Sequence, residues 1–196
     1  MRTVENLRTS KVPEAPVACD GCLVHGGFHA TWRAIAEPVM AAVRVLRIAE
    51  KGAPVFVVGH SLGGALALFA ALELAIEHDT HPAGVFTFGC PRVGNGNFSA
   101  FVRATLPTAC WRVTHWKDPV PHLPFVRGIT PGLSGFWHTP TEVFYDEAST
   151  THHTCNGSGE DPRCSAQFHI GIPPDVNDHL TYFGDAGVGK ATCAKA

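Results

Sequence analysis

Two kinds of apolar spacing alternate along the chain. From Phe28 to Lys51, Trp32, Ile35, Ala36, Val39, Val43 and Leu46 fall on one helical face. Arg33, Glu37, Arg44, Arg47 and Glu50 take the other face, so the stretch predicts one amphipathic helix, kinked at Pro38 and ended at Gly52. Val55 to Val58 is short, apolar and β-branched, as a buried parallel strand is. Leu62 to about His78 is rich in Ala and Leu and apolar nearly all round, which predicts a mostly buried helix.

The alternation then repeats. Gly84 to Gly89 reads as a second buried strand, and Asn95 and Asn97 are N-cap candidates for a helix carrying Phe98, Phe101, Val102 and Leu106. Trp111 to Trp116 alternates as a third strand and Glu142 to Tyr145 as a fourth. Thr3 to Pro16 reads as loop or a single edge strand, Thr150 to Ser165 as irregular, and Pro173 to Gly189 places His179 near a short helix. Strands alternating with helices predict a single α/β domain over residues 1–196, its sheet mostly parallel and flanked by helices.

Composition narrows the function classes. A formal net charge of −2 provides no basic face for nucleic acid. No stretch approaches the ~20 apolar residues of a membrane span. Met1 to Leu7 has no apolar core of a secretory signal; Arg2, Arg8 and Lys11 suit a transit peptide, but Glu5 and Glu14 oppose it. Seven cysteines point instead to an oxidising compartment.

The chemistry starts at Gly59-His60-Ser61-Leu62-Gly63-Gly64, directly between a predicted strand and a predicted helix. That context matches the G-x-S-x-G nucleophile elbow, where a strained turn pushes a serine outward. Gly59 and Gly63 are expected to leave room where strand and helix nearly touch. The Leu62 N–H then points where the Ser61 oxygen points, as half of an oxyanion hole.

A serine needs a base, and the base needs an orienting carboxylate. Asp118 stands at the carboxyl end of the third strand, where catalytic groups of open α/β sheets collect, and Pro119 and Pro121 stiffen its loop. Asp146 is the rival, after the fourth strand; Asp20, Asp79 and Asp161 read as turn residues. His179, in Asp178-His179-Leu180-Thr181-Tyr182-Phe183-Gly184, has the apolar neighbours that would hold a base still. Its neighbour Asp178 is a poor partner, because consecutive side chains diverge. His60 reads as a packing residue, His78, His81, His152 and His153 as solvated, and His115, His122, His138 and His169 as structural.

Cys19 and Cys22 with His25 and His29, or Cys155 and Cys164 with His152 and His153, could be drawn as zinc sites, but neither has the full tetrahedral spacing. A redox CxxC opens a helix after a strand, and no strand is predicted before Cys19. Two short disulfides, Cys19–Cys22 and Cys155–Cys164, fit better, with no metal and no cofactor expected.

These motifs together resemble the fungal-type, or class 3, triacylglycerol lipases. The similar segments are Val24 to Phe28, the elbow through Gly64, Phe88 to Asn95, Arg112 to Pro121, Thr141 to Val143 and Asp178 to Gly184, in family order. The resemblance implies an α/β-hydrolase-like fold with Ser61, Asp118 and His179 as the triad. It implies hydrolysis of a lipid ester, triacylglycerol foremost and phospholipid or feruloyl ester as alternatives, at a lipid–water interface by a secreted protein. It also implies both disulfides.

One departure stands out. The family's first oxyanion donor lies on an Arg-Gly-Ser/Thr turn upstream of the segment resembling Glu5-Asn6-Leu7, so the chain is expected to start part-way through the lid region, without the fold's N-terminal strands. Cys193 resembles a family cysteine whose partner lies upstream. The alternative expectation is therefore a truncated or regulatory lipase-like domain without efficient catalysis. A competing source of the second donor is His25-Gly26-Gly27, on the pattern of the HGGG esterases.

Overall fold

In chain order the elements are β1 (Lys11–Val12), β2 (Val24–His25), α1 (Gly26–Arg33), α2 (Ala36–Ala49), β3 (Phe56–His60), α3 (Leu62–Glu77), β4 (Gly84–Phe88), β5 (Gly94–Asn95), α4 (Gly96–Thr105), β6 (Cys110–His115), β7 (Phe136–Trp137), β8 (Glu142–Tyr145), β9 (His152–Thr154) and α5 (Val176–Leu180). The structure is a computed structural model and describes residues 11–12, 19–106, 110–124, 135–168 and 176–183. Cys193, His169 and most of the Thr3 to Pro16 and Pro173 to Gly189 segments lie outside the described residues.

The main sheet has the order β3-β4-β6-β8-β9. Its first four strands run parallel, and β9 closes it antiparallel. A second, small antiparallel sheet has the order β1-β2-β5-β7. This is the predicted α/β architecture, with two additions: β9 lies inside the stretch expected to be irregular, and Val24–His25 is a strand where none was predicted.

Register partners on parallel strands face the same way. Val57, Val85, Thr87, Arg112, Glu142 and Thr114 therefore share one face, and α3 packs over its β3–β4 side. As its all-round apolar pattern predicts, α3 is buried along most of its length, from Gly64 to Ala75. The opposite face is different. Phe56 and Val58, expected to be buried, are 57% and 63% exposed. Among the described residues the strand is the outer member of the sheet, and its second face has no cover.

The predicted helix from Phe28 to Lys51 is two helices. The break falls at Ala34–Ile35 because the ring of Pro38 clashes with the carbonyl four residues back, at Ala34. Beyond the break the buried side is Ala36 and Met40, with Val43 partly buried, while Ile35, Val39 and Leu46 turn outward. Asn95 is the N-cap of α4, accepting from the Phe98 N–H at 3.0 Å. Both predicted disulfides are present, and Cys155–Cys164 packs with Phe144, Trp116 and Phe168.

A buried ion pair locks β6 to β8. Arg112 and Glu142 are register partners, joined Nη2 to Oε2 at 2.8 Å. Thr114 Oγ1 donates to Glu142 Oε1 at 2.6 Å and the Ser165 N–H at 3.1 Å, while Arg112 also donates to the Gly159 carbonyl at 2.9 Å. A buried carboxylate with this many donors is stable only as a set. The pairing matters for function because Asp118 emerges just past the end of β6.

Removing one partner of such a pair leaves a buried charge alone, at a cost of about 3–5 kcal/mol. Glu142→Ala is expected to lose that much stability in urea denaturation near neutral pH. Burial alone would raise the Glu142 carboxyl, but Arg112, Ser165 and Thr114 outweigh it and hold it below its ordinary 4.5. The native state thus favours the carboxylate, and its contribution is lost as pH falls through the lowered folded value. The gap between wild type and Glu142→Ala should accordingly narrow in acid.

Candidate active site

Ser61 sits between the last residue of β3 and the first of α3, at φ 56° and ψ −128°. A serine holds positive φ only when its surroundings impose it. Here the Ser61 N–H donates to the Phe88 carbonyl at 2.8 Å, and the Ser61 carbonyl accepts from the Gly64 N–H at 2.9 Å. Leu62 is the first residue of α3, so its N–H has no intrahelical acceptor and is free for an oxyanion.

The glycines of the elbow divide their work differently from expectation. A Cβ on Gly59 would lie 2.1 Å from the Gly63 carbonyl oxygen, so that glycine is what lets strand and helix touch. A Cβ on Gly63 would meet open space. The second tight position is Gly64, whose Cβ would come within 2.9 Å of Cys90 Cβ. Gly63 supplies backbone at the close approach, and its own missing side chain is not what the turn requires.

The predicted acid and base meet. His179 Nδ1 is 2.9 Å from Asp118 Oδ2 and 3.0 Å from Oδ1. Asp118 is 1% exposed, and its oxygens are further satisfied by the Val120 N–H at 2.8 Å and the Tyr182 hydroxyl at 2.6 Å. Burial and the negative charge of Asp118 push the Tyr182 phenol well above its usual range, so it remains a donor. With Nδ1 committed to Asp118, His179 keeps Nε2 as the basic nitrogen. Ser61 Oγ makes no hydrogen bond to His179 among the described residues, and such bonds commonly tighten only when substrate arrives.

The rivals are accounted for. Asp146 closes its own turn, accepting from the backbone and hydroxyls of Thr150 and Thr151, and these bonds, led by the Thr151 hydroxyl, bring it down to about 2. Asp178 accepts from the Lys117 N–H at 3.1 Å, away from its neighbour His179. His25 is buried at the N-terminus of α1, where its Nδ1 accepts from the Phe28 N–H, and burial lowers it to about 4. That is the chemistry of a helix cap in the small sheet. The disulfides take Cys19, Cys22, Cys155 and Cys164 out of metal ligation.

Three neighbours of the site were not singled out from sequence as functional. Tyr182 is one. Gly89, at φ 56°, is the second: a Cβ there would lie 2.7 Å from Asp118 Oδ2 and 2.9 Å from His179 Nδ1. The acid–base pair occupies the space that this side chain would fill. His60 is the third, its ring 4.5 Å from that of His179 and its Nε2 2.8 Å from the His179 carbonyl. A glycine directly after a strand and an aromatic residue three beyond the base were the available signals, and each has commoner structural explanations.

Comparison with known proteins gives the chain's relatives. The family model described as Lipase (class 3) matches residues 1–128. A secreted mono- and diacylglycerol lipase of Fusarium solani is 37% identical over 187 residues, 90% of this chain and 51% of the relative. Lipase II from Rhizopus niveus superposes with a TM-score of 0.77 at 31% identity, over 89% of this chain and 63% of that one. A triacylglycerol lipase whose catalytic centre is described as a serine protease triad gives a TM-score of 0.75 at 32% identity, over 92% of this chain and 66% of that one. The chain spans about half the length of the Fusarium relative.

The space at Gly89 is a test of the site's geometry. Gly89→Ala should slow reaction of Ser61 with a fluorophosphonate roughly 10- to 100-fold, the scale of a ~1 Å misplacement of a reacting group. Gly96→Ala, whose added methyl meets open space, is the control and should react like wild type. An unchanged rate in Gly89→Ala would show that the Asp118–His179 contact does not govern the serine.

Proposed function

Because the chain belongs to the class 3 lipase family, we propose that it carries the catalytic machinery of a serine hydrolase acting on lipid esters, acylglycerols foremost. The observation that carries this reading is the Asp118–His179 pair, with Asp118 just past the carboxyl end of β6 in the same parallel sheet whose strand β3 leads into the Ser61 elbow. Ser61 Oγ attacks the ester carbonyl carbon as its proton passes to His179 Nε2. Asp118 holds the ring in the tautomer this needs and stabilises the imidazolium that forms. The carbonyl oxygen, now an alkoxide, receives the Leu62 N–H, an interaction worth about 3 kcal/mol in comparable sites.

Collapse of the tetrahedral intermediate breaks the bond to the alcohol, which leaves with the proton from His179. An acyl group stays on Ser61. Water then repeats the sequence: His179 takes its proton, the carbonyl is attacked, and the fatty acid departs as Ser61 regains its hydrogen. Each proton passes through His179 Nε2, between Ser61 and the leaving alcohol or the attacking water, and the scheme requires no cofactor.

The substrate reading draws on relatives named for mono-, di- and triacylglycerols. It extends to a lipid–water interface, where such esters are found. Exposed apolar side chains beside the base, Val176, Leu180 and Phe183, support contact with lipid at this rim. Secretion is supported by the two disulfides and by the Fusarium relative, which is named as secreted.

Ser61→Ala should abolish labelling by a fluorophosphonate while the protein stays folded. Asp118→Asn should keep the serine in place but lower ester hydrolysis on the order of 10⁴-fold, because the amide favours the wrong imidazole tautomer. Labelling that persists in Ser61→Ala would overturn the proposal.

A further inference from the structure

The base sits on a very short helix. α5 runs only from Val176 to Leu180, and the last four carbonyls of any helix lack intrahelical partners. Those of Asp178 and His179 are among them. Five residues cannot hold a catalytic imidazole in place by their own hydrogen bonds.

Two histidines reach these carbonyls from the main sheet. His60, the last residue of β3, has Nε2 2.8 Å from the His179 carbonyl oxygen. His115, the last residue of β6 and buried, has Nδ1 3.0 Å from the Asp178 carbonyl oxygen. A carbonyl only accepts, so each contact is a hydrogen bond only when that nitrogen carries the proton. His115 Nε2 also lies 3.2 Å from the Glu147 carbonyl, and a neutral ring can donate to one of the two at a time. Tyr182 stands between the pair, edge-on to His60 at 5.9 Å and to His115 at 5.8 Å, while its hydroxyl reaches Asp118.

Resting on the Ser61–His179–Asp118 reading, we propose that His60 and His115 are positioning residues that clamp the carbonyls of His179 and Asp178 and so fix the catalytic base against the strand ends. His60 also lies against the His179 ring, 4.5 Å between centroids, but both histidines act through backbone carbonyls and neither takes the proton of Ser61. His60 closes one further link: it is bonded in sequence to Ser61 and by hydrogen bond to His179, so it couples the placement of nucleophile and base. His115 does the same for the acid, three residues before Asp118. The two carbonyl bonds convert a short helical turn into an extension of the sheet.

The test uses the wild-type chain and four variants on a soluble short-chain p-nitrophenyl ester, with Tm measured alongside. His60→Leu and His115→Leu should each lower kcat about tenfold or more while KM stays within about twofold, as expected when only transition-state geometry suffers. His60→Gln places an amide N–H near the old Nε2, and His115→Asn places one near the old Nδ1. Both should recover kcat to within about threefold of wild type. Ring ¹⁵N shifts should show His60 protonated at Nε2.

A leucine variant with wild-type kcat overturns the proposal, as do glutamine and asparagine variants no better than leucine at matched Tm. Should the leucine variants not fold, a His60 ring protonated at Nδ1 alone overturns it equally. Wild-type protein that neither turns over the ester nor reacts at Ser61 with a fluorophosphonate overturns the triad reading, and this inference with it. Active wild type beside unaffected His60 and His115 variants overturns this inference alone.

Discussion

A carboxylate taken out of water must be met by donors on every side, and Asp118 is where this chain meets that demand. One donor comes from its own loop, through Val120 N–H, and two from the segment 176–183, through His179 and Tyr182. Without them the charge at the end of β6 could not stay buried. The same bonds bring the base to the sheet and fix its tautomer, so the need to satisfy one buried charge assembles two-thirds of the proposed triad. The Arg112–Glu142 pair applies the same rule deeper in the sheet, where it fixes the register from which Asp118 emerges.

Steric room is the complementary constraint. At the site, three glycines stand where side chains would collide: Gly59 beneath the Gly63 carbonyl, Gly64 against Cys90, and Gly89 against the acid–base pair. The first two allow α3 to begin directly at the end of β3, which forces Ser61 into positive φ. The third keeps open the volume that Asp118 and His179 share. Polar satisfaction draws the groups together, and the absence of three methyl groups lets them arrive.

Much of this is legible in the residues themselves. The elbow shows because its pattern lies between a β-branched run and an Ala/Leu-rich helix, and Asp118 and His179 stand out through strand position and apolar neighbours. The disulfides follow from short cysteine spacing. Other features depend on contacts distant in sequence. Nothing around Val55 to Val58 reveals that β3 is outermost among the described strands, so local hydrophobicity overstates its burial there. The helix break at Ala34 is a matter of where the Pro38 ring lands, and the chain marks the proline rather than the clash. Gly89 reads as an ordinary strand end until Asp118 and His179, far along the chain, close around it.

The position of β3 has a consequence for motion. Asp118 hangs from β6, which is bordered on both sides by paired strands, whereas Ser61 ends a strand whose ladder, among the described residues, runs along β4 alone. Fluctuations that fray a sheet begin at its margin and die out toward its middle. Of the two strand-borne groups, the nucleophile is therefore carried by the more easily loosened strand and the acid by the more rigid one. Among the described residues, the position of the serine is thus more open to adjustment than that of Asp118.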